Sequence, residues 1–117
     1  MKAQDLENRL INFAVSIIKG SKYLDKNFAS EHLSKQLIRS STSIALNYGE
    51  ARGGESTRDY LHKMKLSLKE LRESYINLKI IKGAELMSNI ETLDQLIDEN
   101  NQLISIFVVS IKNTKTQ

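Results

Sequence analysis

Arg58, His62, Lys65, Lys69, Arg72 and Lys79 follow one another at spacings of 4, 3, 4, 3 and 7 residues. At about 100° per residue, such spacing gathers them on one face of a helix, beside an apolar seam. A row of long cations about one turn apart suits phosphates, because each contact releases a condensed counterion and the binding weakens as salt rises. Glu73 borders the row, while Asp59 and Glu70 fall elsewhere on the helix. No aromatic residue alternates with the cations, so this stripe by itself offers no stacking platform. The RNP aromatic motif and the GXXG clamp of common RNA-binding modules are also missing.

A second phosphate candidate lies just upstream. Gly53 and Gly54 precede this helix between Arg52 and Arg58. Free N–H groups at a helix entrance hold anions well, although two adjacent glycines also serve simply to reverse the chain. The segment is no P-loop, since no lysine stands at the required position and no strand precedes it.

Catalytic readings fare worse. The stretch RSSTS, residues 39–43, would need a base and an oxyanion hole to make Ser40 or Ser43 a nucleophile. His32 and His62 are the only histidines, and no Gly-x-Ser-x-Gly turn exists. Arg39 and Arg72 as a clamp for a dicarboxylate substrate are undercut by neighbouring acids. With no cysteine, no His-x-x-x-His and no Glu-x-x-His pair, neither a metal site nor a cofactor is expected. The expectation is a protein that is not an enzyme.

The serines then read as packing residues. Ser40 and Ser41 share a side with Leu37, Ile44 and Tyr48, where small side chains let a neighbouring backbone approach and hydroxyls bond back to carbonyls one turn earlier. Arg39, Ser40, Ser43, Asn47 and Glu50 are expected to form a polar network with Glu70 and Glu73 of the next helix.

Four helices position these groups, at about residues 4–25, 30–52, 56–82 and 89–112, followed by the polar tail NTKTQ. Leu6, Leu10, Phe13 and Ile17, with Ile11 and Ile18 beside them, mark the first. Ser30 can cap the second. The third has the cleanest seam, Leu61, Met64, Leu68, Leu71, Tyr75 and Leu78, opened by Ser56 and closed at Lys82-Gly83. Ser88 to Glu91 resembles a capping box for the fourth. Every link is short, so neighbours should run antiparallel: an all-α, up-down-up-down four-helix bundle in one domain.

At 117 residues, with no proline and few aromatics, the chain has room for one core and little material for sandwiches or barrels. Residues 1–82 hold 15 Lys+Arg against 9 Asp+Glu, whereas residues 83–117 hold 2 against 5. A basic body with an acidic last helix attracts a polyanion on one side. No signal peptide pattern and no run near the roughly 18 apolar residues of a membrane span is present, so a cytoplasmic, membrane-free location is expected. Ile76, Ile80, Ile106 and Val109 lie off the apolar seams and are expected to close a homo-oligomer.

Gln36, Leu37, Arg39, Ser40, Ser43, Ile44, Asn47, Glu50, Ala51, Ser56, Tyr60, Lys69, Glu70 and Glu73 form an ordered set across the second and third helices. In this the chain resembles the four-helix-bundle proteins encoded in intervening sequences of bacterial 23S ribosomal RNA genes, often called ribosomal-protein-like. The resemblance implies a ring, a pentamer foremost. The family also includes the accessory variability determinant of diversity-generating retroelements, a basic ring that partners a reverse transcriptase and nucleic acid. One pair departs: relatives carry Tyr-Trp one turn after the position of Glu73, where this chain has Ile76 and Asn77. The functional expectation is a non-catalytic oligomer associated with structured RNA or DNA through Arg52, Arg58, Lys65, Lys69, Arg72 and Lys79. The alternative is a scaffold that docks a protein such as a polymerase.

Overall fold

In the computed structural model, which describes residues 1–114, four long helices account for most of the chain. They are α1 (Ala3–Gly20), α2 (Phe28–Arg52), α3 (Thr57–Gly83) and α4 (Ile90–Asn113). Among the described residues there is no strand, only an isolated bridge between Leu24 and Met87. Residues 115–117 of the polar tail lie outside the described residues.

The first helix ends earlier than its periodicity suggests. It passes into a short 3-10 turn, Ser21–Tyr23, instead of running to residue 25. The cause is long-range: the Asp25 N–H donates to the Leu86 carbonyl at 2.8 Å, and the Ser88 N–H donates to the Tyr23 carbonyl at 2.9 Å. These bonds tie the α1–α2 link to the α3–α4 link and hold both extended.

Capping also shifts in two places. Asn27, not Ser30, caps α2, its side chain accepting from the Ser30 N–H at 2.8 Å. Asn89, not Ser88, caps α4 by accepting from the Thr92 N–H, and the Ser88 hydroxyl donates instead to the Tyr23 carbonyl. Ser56 caps α3 through the Asp59 N–H. Gly83 is the last residue of α3, and the left-handed position after it belongs to Glu85, at φ 56°. A non-glycine residue there is strained by Cβ crowding. Exposed Glu85→Gly is therefore expected to raise stability by about 1 kcal/mol, measured as a rise in Tm.

Leu10, Phe13, Ile44, Met64, Leu71, Leu78, Leu103 and Phe107 are buried, with Tyr48 meeting the Phe107 ring edge-on at 5.8 Å between centroids. Polar residues sit among them. Ser67 on α3 donates to the Ile44 carbonyl of α2 at 3.0 Å. Asn100 on α4 donates to the Leu71 carbonyl and accepts from the Ser74 hydroxyl, at 2.9 and 2.7 Å. Small side chains here let α2 and α3 approach closely, while each donor finds a carbonyl lone pair the helix leaves spare.

The order of cross-helix partners shows how neighbours run. Arg39, Ile44 and Glu50 on α2 meet Glu70 and Glu73, then Ser67, then Lys63 on α3, so one set climbs as the other falls. Lys82 meets Asp94, and Tyr60 meets Ser110, across α3 and α4 in the same sense. Arg9 on α1 clamps Glu99 on α4 through two 2.7 Å bonds.

Candidate nucleic-acid interface

Because Leu61, Met64, Leu71, Leu78 and Ile81 turn inward, the opposite face of α3 must point outward. Arg58, His62, Lys65, Lys69, Arg72 and Lys79 are all exposed on it. From Arg58 to Lys79 this row runs about 32 Å at 1.5 Å per residue, the length of about nine base pairs of duplex.

The row differs from the other cations of α2 and α3 in having no acid partner among the described residues. Among the described residues, the ion pairs engage Arg9, Lys35, Arg39, Arg52, Lys63 and Lys82, and none involves Arg58, Lys65, Lys69, Arg72 or Lys79. The acids nearest the row are drawn off it. Arg39, from α2, lies 3.3 Å from carboxylate oxygens of both Glu70 and Glu73, and the attraction of Glu70 first, with Glu73 adding to it, holds the guanidinium above its ordinary pKa. Glu70 and Glu73 are thus drawn toward α2, and the outer face of α3 carries positive charge that is unpaired among the described residues.

Other expected members of the site fall away. Arg52 is turned to α1, 3.3 Å from both Glu7 and Gln4 side-chain oxygens, so it does not belong to the row. The Gly53 and Gly54 N–H groups donate to the Gly49 and Ala51 carbonyls, closing the end of α2, and offer nothing to a phosphate. The polar network is smaller than expected. Arg39, Ser40, Glu70 and Glu73 meet, whereas Glu50 pairs with Lys63 at 2.8 Å. No hydrogen bond joins Ser43 or Asn47 to the network among the described residues.

The four residues expected to close an oligomer do not form one patch. Ile76 and Ile80 are 57% and 49% exposed and continue the cationic face of α3 toward its C-terminal end. Val109 is exposed on α4, whose C-terminal half lies by the start of α3, and Ile106 packs half-buried onto the chain's own core. A stripe the periodicity missed lies on α1 instead. Ile11, Val15 and Ile18, spaced 4 and 3 apart, are exposed rather than flanking the core. Their signal was present in the uncharged run LINFAVSII, residues 10–18, which carries more apolar residues than one buried stripe needs.

An aromatic pair was also missed, because it lies on a different helix from the cations. Phe28 is 86% exposed and stacks on His32 with ring centroids 6.4 Å apart. No helix of the described residues is long and apolar enough to cross a membrane.

Comparison with known proteins agrees with this architecture. A protein of unknown function from the S23 ribosomal protein family of Bacteroides thetaiotaomicron VPI-5482 superposes with a TM-score of 0.84 at 28% identity, covering 97% of this chain and 100% of the other. No curated protein sequence matches the chain. The profile of the 23S rRNA-intervening sequence proteins matches residues 3–108, nearly the whole bundle. The chain belongs to the 23S rRNA-intervening sequence protein family.

Proposed function

We propose that this protein is a non-catalytic, oligomeric bundle that binds nucleic acid, structured RNA foremost, through phosphate contacts along α3. The observation that carries the reading is the set of five exposed cations, Arg58, Lys65, Lys69, Arg72 and Lys79, that have no acid partner among the described residues, whereas the other Lys and Arg residues of α2 and α3 all pair. Unpaired like charges on one face repel one another and gain most from a polyanion.

The unit is an up-down-up-down bundle in this reading, supported by the opposed order of cross-helix partners. It assembles as a ring, a pentamer by resemblance, and works in the cytoplasm. The uncharged α1 stripe of Ile11, Val15 and Ile18 favours α1 as a contributor to the subunit contact. A ring repeats the cationic face in every subunit, so weak phosphate contacts add. Such a ring could serve a polymerase, as the accessory variability determinant of diversity-generating retroelements does.

Size exclusion coupled to light scattering, with and without a structured RNA hairpin, tests the reading. A species several times the monomer mass that takes up RNA at low salt and releases it at moderate salt supports it. An oligomer indifferent to RNA moves the function to protein scaffolding, and a monomer removes the ring.

Arg39 supplies an independent check. Arg39→Ala should release Glu70 and Glu73 to the cationic face and weaken RNA affinity several-fold, read by fluorescence anisotropy. Its stability cost should stay within about 1 kcal/mol, because the Arg39 side chain is itself exposed.

A further inference from the structure

We infer that the outer groove between α2 and α3, preceded along α2 by the exposed Phe28–His32 pair, takes an unpaired base or two of the nucleic acid whose phosphates follow α3. The inference rests on the phosphate-binding reading and adds the class of strand: one with a single-stranded segment.

The groove, about 570 Å³, is walled by Leu33 on α2 and by Ile76 and Ile80 on α3, with Arg72, Arg39 and the Arg39-paired Glu73 as its charged lining. A base is a flat apolar ring with polar edges, and this lining offers it both. Asn77 also lines the groove at 8% exposure; its amide donates to the Leu33 carbonyl, and its Oδ1 is buried without a donor. An acceptor sealed from water and left unpartnered is costly, and the N–H at a base edge would relieve it. Ile76 and Ile80 line the groove with Asn77 and are about half exposed, so rotamer changes that open a path to the amide cost little packing.

Three features place a strand here rather than another ligand. Phe28, His32 and Gln36 follow at spacings of four on α2, and Gln36 lines the groove, so the stacked rings stand one and two turns before it on the same helix. A phenyl ring 86% exposed is a surface on which any base stacks. On the other wall Ile76 lies one turn beyond Arg72, and Ile80 adjoins Lys79, so the groove opens where the row of cations ends. Phosphates on Lys69, Arg72 and Lys79 would deliver their bases to it.

The test compares two RNA hairpins of equal phosphate count closed by the same tight loop, one with a blunt, fully paired stem and one ending in an unpaired tail of about ten mixed nucleotides. Wild type should bind the tailed hairpin about tenfold more tightly in fluorescence anisotropy, the size of one good stack. Phe28→Ala and Ile80→Ser should each remove most of that advantage and leave the paired hairpin's affinity unchanged. Phe28 is too exposed for its loss to unfold the chain, and matching circular dichroism would verify both variants. Equal wild-type affinity for the two hairpins overturns the inference while leaving the phosphate reading intact. Absence of binding to either hairpin fails the phosphate reading, and the inference with it. A change of oligomeric mass in either variant assigns the groove to a second copy of the chain, and overturns it as well.

Discussion

Replacing Lys65, Lys69 and Arg72 together with Glu should reduce affinity for structured RNA by at least a hundredfold near 0.1 M salt. Each cation that meets a phosphate contributes about 0.7–0.9 to the slope of log K against log salt, so losing three should flatten that slope by about 2–3. Reversal of sign adds repulsion to the lost attraction. All three side chains are exposed and none holds an ion pair among the described residues, so the fold should be unmoved. A matching triple change of Lys35, Lys63 and Lys82, each already paired with an acid, should cost RNA affinity far less. Equal losses in the two variants would reduce the effect to net charge and remove the special standing of the α3 face.

The second large effect concerns the core. Asn100 is fully buried and spans from α4 to α3, donating to the Leu71 carbonyl and accepting from Ser74. Asn100→Ala should cost about 2–4 kcal/mol, because it leaves a cavity and strands the polar groups around it. Asn100→Leu combined with Ser74→Ala should recover most of that loss. The Leu71 carbonyl keeps its own helical bond, and two apolar groups then replace two satisfied polar ones. Urea unfolding of the wild type and both variants measures the difference. A double variant as unstable as Asn100→Ala would mean that the amide specifies the packing and that its volume is incidental.

The number of helices, the α3 seam and the exposed cations of α3 were legible because each depends on spacing along one element. Leu61, Met64, Leu68, Leu71, Tyr75 and Leu78 repeat every three or four residues, and whatever they bury must leave Arg58 to Lys79 outside. What was not legible depends on partners distant in sequence. Nothing near Arg52 tells that Glu7 will meet it, and nothing near Leu24 tells that Met87 will end the first helix. Apolar periodicity is blind to a polar core, so it passes over Asn77 and Asn100 although they are buried. The same blindness placed Ile106 outside and Ile11 and Ile18 beside the core, since in α1 and α4 two apolar stripes compete and only packing decides which is covered.

The RSSTS segment joins both kinds of information. Ser40 and Ser41 are buried, as small residues between close helices should be, and Arg39 beside them takes Glu70 and Glu73 away from the cationic row. Packing and charge separation are therefore two outcomes of one stretch. The fold uses Arg39 to keep α3 positive on its outer face, and that face is the basis of the functional proposal.

The most direct measurement is the salt dependence of wild-type binding to a structured RNA hairpin, by anisotropy between about 50 and 300 mM salt. Five unpaired cations per subunit predict a slope of log K against log salt near −4 for each engaged subunit. A slope near zero, or no binding at the lowest salt, would contradict phosphate recognition by α3.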